Sequence, residues 1–228
     1  MTEHTIRGYE YELMELRERL TEMTELVRQM ISNGRQALAE GDVELAKKTI
    51  EIDHQVNRAE VDIDRFCFDI LVRRQSVASD LRFILAAMKM VTDVERIGDL
   101  AVSICYEAVD AKEGMQSTAP AMLSSVADAS QQVVGKAIDA FLEADVDLAF
   151  EVIDDDEQVN DHYHALNRQL LTKMADGDLS VDIGIGMQNL AKRFERMGDC
   201  ATNIAEAIIF ALEAQDIRHR DKLSPMPD

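Results

Sequence analysis

The sequence predicts an all-α protein built as two tandem three-helix bundles packed side by side, and three observations carry that prediction. The 228-residue chain repeats itself at an offset of about a hundred residues. Its apolar residues recur at helical spacing. It is also poor in residues that build sheets and turns, with 5% aromatic residues, no Trp, three Pro and ten Gly. The repeat is visible directly. Asp42-Val43-Glu44-Leu45-Ala46 recurs as Asp145-Val146-Asp147-Leu148-Ala149, and Asp53, Gln55, Val56 and Asn57 recur as Asp156, Gln158, Val159 and Asn160. Glu95-Arg96-Ile97-Gly98-Asp99 recurs as Glu195-Arg196-Met197-Gly198-Asp199. The offset falls from 103 to 100 between these blocks, so the second copy is three residues shorter there.

In the first helix Leu13, Leu16, Leu20, Met23, Val27 and Met30 alternate steps of three and four, and Gly34 interrupts it only mildly. Gly41 then reads as a helix C-terminal glycine and Asp42 as the N-cap of the second helix. That helix carries Leu45, Thr49, Ile52, Val56, Ala59, Ile63, Phe66 and Ile70 at the same spacing. A third runs from about Ser79 to Ala111. The second unit repeats the plan: a helix from near Pro120 to about Glu143, one capped by Asp145 to about Ala175, and one from about Val181 to Ala214. The repeats therefore span 8–114 and 118–214. Residues 215–228, with Pro225 and Pro227, are expected to form a flexible tail, and the segment before Tyr9 to fray. Short connections make successive helices antiparallel, and helices of about thirty residues are about 45 Å long. Bundles that thin leave apolar surface uncovered, so the two are expected to pack on each other, and a homodimer is expected.

Charge limits the partners. Lys and Arg number 24 against 44 Asp and Glu, a formal net charge of −20. A field of that sign repels nucleic acid and anionic lipid, and no basic stripe opposes it. The second repeat is especially acidic, with 18 acids against 6 bases in residues 121–214. No apolar run is long enough to span a bilayer, and the N-terminus leads straight into a charged pattern without a signal-peptide core, so a cytoplasmic protein is expected. Cys67, Cys105 and Cys200 lie within apolar helical patterns without CxxC spacing and read as buried thiols in a reducing compartment.

The third and sixth helices carry the chemistry. Met90, Val94, Ile97, Ala101, Ile104 and Ala108 form a core-facing row in one, and Leu190, Phe194, Met197, Ala201, Ile204 and Ile208 in the other. One residue along, Glu195, Asp199 and Asn203 line up at i, i+4 and i+8, as do Glu95, Asp99 and Ser103. Acids spaced by four repel unless a cation lies between them. Each pair also surrounds a mid-helix glycine, Gly98 or Gly198, which costs about 1 kcal/mol relative to alanine and asks for a close-packing reason. Arg96 and Arg196 project elsewhere, toward neighbouring helices.

These acids are candidate ligands of a hard cation or small metal cluster. All-oxygen donors suit magnesium, manganese, calcium or iron. Further oxygens come from the adjacent helix, where Asp53 and Asn57, and Asp156 and Asn160, supply another i, i+4 pair. The alternative is that all of these are solvated acids paired with Arg and Lys. Glu51-x-x-His54 matches the Glu-x-x-His element of di-iron bundles, with Asp161-x-x-His164 as a loose second copy, which leaves a metal-storage or di-iron bundle as a competing reading. Asp154-Asp155-Asp156-Glu157 resembles a calcium loop only in composition. No phosphate-binding glycine loop, no Ser, His and Asp set and no activated cysteine is evident, so no enzyme is expected.

The blocks Asp93-Val94-Glu95-Arg96-Ile97-Gly98-Asp99 and Phe194-Glu195-Arg196-Met197-Gly198-Asp199 make the chain resemble the PhoU family of phosphate uptake regulators. The Ser76–Arg82 stretch before the first block and the Asp42–Asn57 repeat fit the same family. The resemblance implies a cytosolic, non-enzymatic, generally dimeric negative regulator. It implies contacts with the ATPase of the phosphate ABC transporter and with the phosphate-sensing histidine kinase, and membrane association only through such partners. It also implies that the Glu-x-x-x-Asp motifs, which bind metal in some members, fall on Glu95 and Asp99 and on Glu195 and Asp199. A PhoU-like regulator of a different phosphate carrier is the nearest alternative. The copies differ: Ser103 matches Asn203, and Thr92 and Asp93 match Lys192 and Arg193, which makes the second site locally more basic.

Overall fold

The turn signals at Gly41, Asp42 and Asp145 become backbone features. Residues 3–74, 78–110 and 115–217 are described by a computed structural model, in six helices and no strands: α1 (Glu3–Glu40), α2 (Val43–Arg73), α3 (Ala78–Val109), α4 (Met115–Glu143), α5 (Val146–Ala175) and α6 (Val181–Glu213). Gly41 takes φ 69°, and Asp42 Oδ1 then accepts from the Leu45 amide at 2.9 Å. In the second repeat Asp145 Oδ1 accepts from Leu148 at 3.0 Å, but the left-handed position falls to Ala144, at φ 54°. Ser180 caps α6, and Ala214, at φ 59°, ends it.

Three expectations about boundaries are corrected. Helix α1 already runs from Glu3, so the chain before Tyr9 is helical where it is described. Helix α4 starts at Met115, placing Pro120 in its second turn, where the ring removes one intrahelical hydrogen bond. The tail is not wholly free, since Ile217 packs against the core; residues 218–228 lie outside the described residues, as do Ser76 and Val77.

Helices α1, α2 and α3 pack on one another, as do α4, α5 and α6, and the two bundles join through α3 against α6 and α1 against α4. The core-facing rows of α3 and α6 are buried along their whole length. Burying each large side chain, such as Phe194 or Ile97, stabilises the fold by about 1.5–3 kcal/mol. Helices α3 and α6 run antiparallel, because Asp93 meets Asn203 while Glu107 meets Arg193. Between α1 and α4, Arg28 binds Asp139 and the Gly135 carbonyl, and Arg35 binds Asp128 and Gln131. Phe83 stacks on Phe141 with ring centres 5.7 Å apart. The two bundles thus share one continuous core rather than holding two separate ones.

All three cysteines are buried and free, and burial pushes Cys67 and Cys200 up to about 12 and Cys105 up to about 11. Among the described residues no helix is long and apolar enough to cross a membrane.

Candidate functional site

Helical spacing puts one polar edge of α2 beside one edge of α3. Asp53 and Asn57 on α2 face Glu95 and Asp99 on α3, and the α2 row continues one and two turns further as Glu60 and Asp64. Burial raises the Glu95 carboxyl, and the charges of Asp99, Glu60 and Asp53 push it the same way against Arg96. Asp99 is raised by burial and by Asp53, Glu60 by burial, Asp64 and Asp99, and Asp64 by burial. Asn57 Nδ2 donates to Asp53 Oδ2 at 2.9 Å, and its Oδ1 is left buried with no hydrogen-bond partner. Among the described residues none of these five carboxylates forms an ion pair.

The equivalent edge of α5 and α6 is tighter. Burial and the charges of Asp199 and Glu195 push Asp156 up to about 6, although Asn160 Nδ2 donates to its Oδ2 at 3.1 Å. Asp199 is raised by burial and by Glu195, against Lys192 and Arg196. Glu195 is only 9% exposed. Its Oε1 accepts from Lys192 Nζ at 2.6 Å, while its Oε2 and Asp156 Oδ1 are buried without a hydrogen-bond partner. Gly198 has the close-packing reason that its mid-helix position demands, because a Cβ there would collide with Asp156 Oδ1. Gly98 has no such reason: a Cβ there would meet Val56, Val27 and Met30 at 3.5–3.7 Å, which is ordinary contact.

The fold thus brings Asp53 to Glu95 and Asp99, and Asp156 to Glu195 and Asp199, across sequence separations of about forty residues. Asn203 is engaged elsewhere: its Nδ2 donates to the buried Asp93 at 3.3 Å across the α3–α6 contact. It lines a groove of about 430 Å³ in which Arg96, Asp99 and Ser103 face their repeat counterparts Arg196, Asp199 and Asn203. Among the described residues no three His, Cys, Asp or Glu side chains stand close enough to enclose a metal ion. The acids flank each site without closing it, as repelling like charges do. The orphaned oxygens of Asn57, Asp156 and Glu195 are nonetheless the hard donors a cation would take, and their burial leaves water poorly placed to serve them.

Glu60 and Asp64 escape a reading that stops at one i, i+4 pair, although continuing the row by three and four would reach both. The histidine alternative loses its footing. Glu51, His54, Asp161 and His164 are all exposed, whereas a di-iron bundle needs its Glu-x-x-His side chains projecting inward. The acidic run at 154–157 lies within α5, and its Asp155 is held by Lys136 at 2.8 Å.

Comparison with known proteins matches both repeats separately. The PhoU domain family matches residues 20–108 and 123–208. A phosphate-specific transport system accessory protein PhoU homolog of Pseudomonas putida is 36% identical over 220 residues, covering 96% of this chain and 86% of the relative. The accessory protein PhoU of Escherichia coli strain K12 is 34% identical over 167 residues, covering 73% of this chain and 69% of the relative. The crystal structure of PhoU from Pseudomonas aeruginosa is similar with a TM-score of 0.86 at 35% identity, covering 91% of this chain and 100% of that one. That of the phosphate transport system regulatory protein PhoU from Streptococcus pneumoniae gives 0.84 at 27% identity, covering 91% and 98%.

Proposed function

The chain belongs to the PhoU family, and from that membership we propose that it is an accessory regulator of a phosphate-specific transport system. It holds the phosphate-starvation response off when phosphate is plentiful. It acts by contact with the ATPase of the phosphate transporter and with the phosphate-sensing histidine kinase, as a cytoplasmic homodimer that meets the membrane through these partners. The observation that carries this reading is that both repeats match the family, each with its Glu-Arg-x-Gly-Asp block intact. The acidic surface supports protein contacts over direct binding to anionic lipid, which a net charge of −20 disfavours.

The carboxylate edges are read as cation sites. Asp53, Asn57, Glu95 and Asp99 would hold a hard cation in the first repeat, and Asp156, Asn160, Glu195 and Asp199 in the second. The orphaned buried oxygens support this assignment. A bound magnesium, manganese, calcium or iron ion would supply positive charge where acids crowd, joining α2 to α3 and α5 to α6. The chain's own residues provide the rest: Asn57 and Asn160 hold one oxygen of Asp53 and Asp156 in place, and Gly198 makes room for Asp156.

Deleting the gene tests the regulatory role. Phosphate-scavenging genes are expected to be expressed in phosphate-rich medium, and normal repression in a strain without a paralogue would contradict it.

A further inference from the structure

The two acid edges are related by the internal repeat, yet one of them already contains a cation. Lys192 stands where the first repeat has Thr92, and its Nζ lies 2.6 Å from Glu195 Oε1. The same ammonium sits 5.4 Å from the centre of the Tyr163 ring. Tyr163 itself replaces an acid, since the matching residue of the first repeat is Glu60. Both exchanges lower the negative charge of the second edge, and both converge on one ammonium. In the first repeat, among the described residues, Asp53, Glu60, Asp64, Glu95 and Asp99 form no ion pair.

Glu195 is the most buried of these carboxylates, with its side chain 12% exposed, while Lys192 keeps 48% of its side chain in contact with water. The glutamate is therefore fixed and the lysine is free to leave. When the ammonium swings out, the departing charge is easily rehydrated, and the buried carboxylate it abandons needs another cation. The unpartnered Glu195 Oε2 lies on the same carboxylate, so a lysine on one oxygen and a metal ion on the other would meet at like charge.

We propose that Lys192 is a tethered counter-ion of the second acid edge that competes with a free hard cation for Glu195, so that the two repeats bind such cations with unequal affinity. This rests on the cation-site reading above. It makes the first repeat the more dependent of the two on a bound cation.

The test uses the full chain and Lys192→Met, which keeps the apolar stem over Tyr163 and removes the charge. In chelator, Lys192→Met is expected to melt about 2–4 °C below the parent, and to lose less when combined with Glu195→Gln. Equal melting temperatures, or strictly additive losses, would overturn the counter-ion role. Mn²⁺ alone is then titrated and followed by electron paramagnetic resonance. Lys192→Met is expected to tighten, by about fivefold, the site that Glu195→Gln abolishes, and to leave unchanged the site that Glu95→Gln abolishes. An unchanged or weakened second site would overturn the competition. No Mn²⁺ binding in parent or variant would overturn both the competition and the cation-site reading, while the chelated comparison would still decide whether Lys192 pairs with Glu195 in the fold.

Discussion

Asp156 Oδ1 lies against the backbone of Gly198, buried and without a hydrogen-bond donor, at a place where any side chain would collide with it. The same glycine in the first repeat, Gly98, has ordinary space around it. The two blocks are nearly identical in sequence, but only the second uses its glycine to bring an aspartate onto the helix.

Replacing the two glycines separates these roles. Gly198→Ala is expected to displace the Asp156 carboxylate, a clash that offsets the helix-propensity gain of about 1 kcal/mol and leaves the variant up to about 2 kcal/mol less stable than Gly98→Ala. Gly98→Ala is expected to be neutral, or to stabilise by up to about 1 kcal/mol through helix propensity. Denaturant unfolding of both variants measures the difference, and equal effects would contradict the asymmetry.

Acidification is expected to stabilise the cation-free protein. Asp156 is raised from 3.8 to about 6 by burial and by its acidic neighbours, and Glu60, Asp64, Asp93, Glu95, Asp99 and Asp199 are raised as well. A carboxyl raised in the folded state holds its proton more tightly there than in the unfolded chain. Its contribution is complete below the ordinary carboxylate range and is lost as pH climbs through the folded value. The melting temperature in chelator should therefore fall between about pH 4 and about pH 7, with Asp156→Asn flattening the slope. A melting temperature that rises over this range would contradict the crowding of the acids.

Unfolding is expected to be a single transition. The core is continuous across α3 and α6, and Arg28, Arg35 and the Phe83–Phe141 stack tie α1 and α3 to α4. Calorimetric and van't Hoff enthalpies should agree, and two resolved transitions would show that the repeats unfold as separate units.

Much of the fold was legible because the repeat states each helix twice. Asp42 and Asp145 announce the starts of α2 and α5, and Gly41 marks a helix end that Ala144 repeats with a less suitable residue. The pairing of Asp53 with Glu95 and Asp99, and of Asp156 with Glu195 and Asp199, was legible from the same duplication. Burial was not. Nothing in a helical period shows that Glu195 is nearly enclosed while Asp199 is exposed, because that depends on how α4 and α5 close over α6. Asn203 followed the i, i+8 spacing yet turned to Asp93, since the antiparallel contact of α3 and α6 offered a nearer partner. The burial of Asp93 was not legible, because the second repeat has Arg193 at the matching position and so gives no second acid to mark it. Pro120 reads as a residue that opens a helix and instead sits in the second turn of α4, where its ring removes one intrahelical hydrogen bond.

The metal content of the protein purified without chelator tests the central assignment most directly, measured by elemental analysis beside Glu95→Gln, Glu195→Gln and the double variant. Bound magnesium, manganese, calcium or iron is expected in the parent, with a partial loss in each single variant and a near-complete loss in the double. Equal metal content in all four would mean that the carboxylate edges are solvated acids and hold no cation.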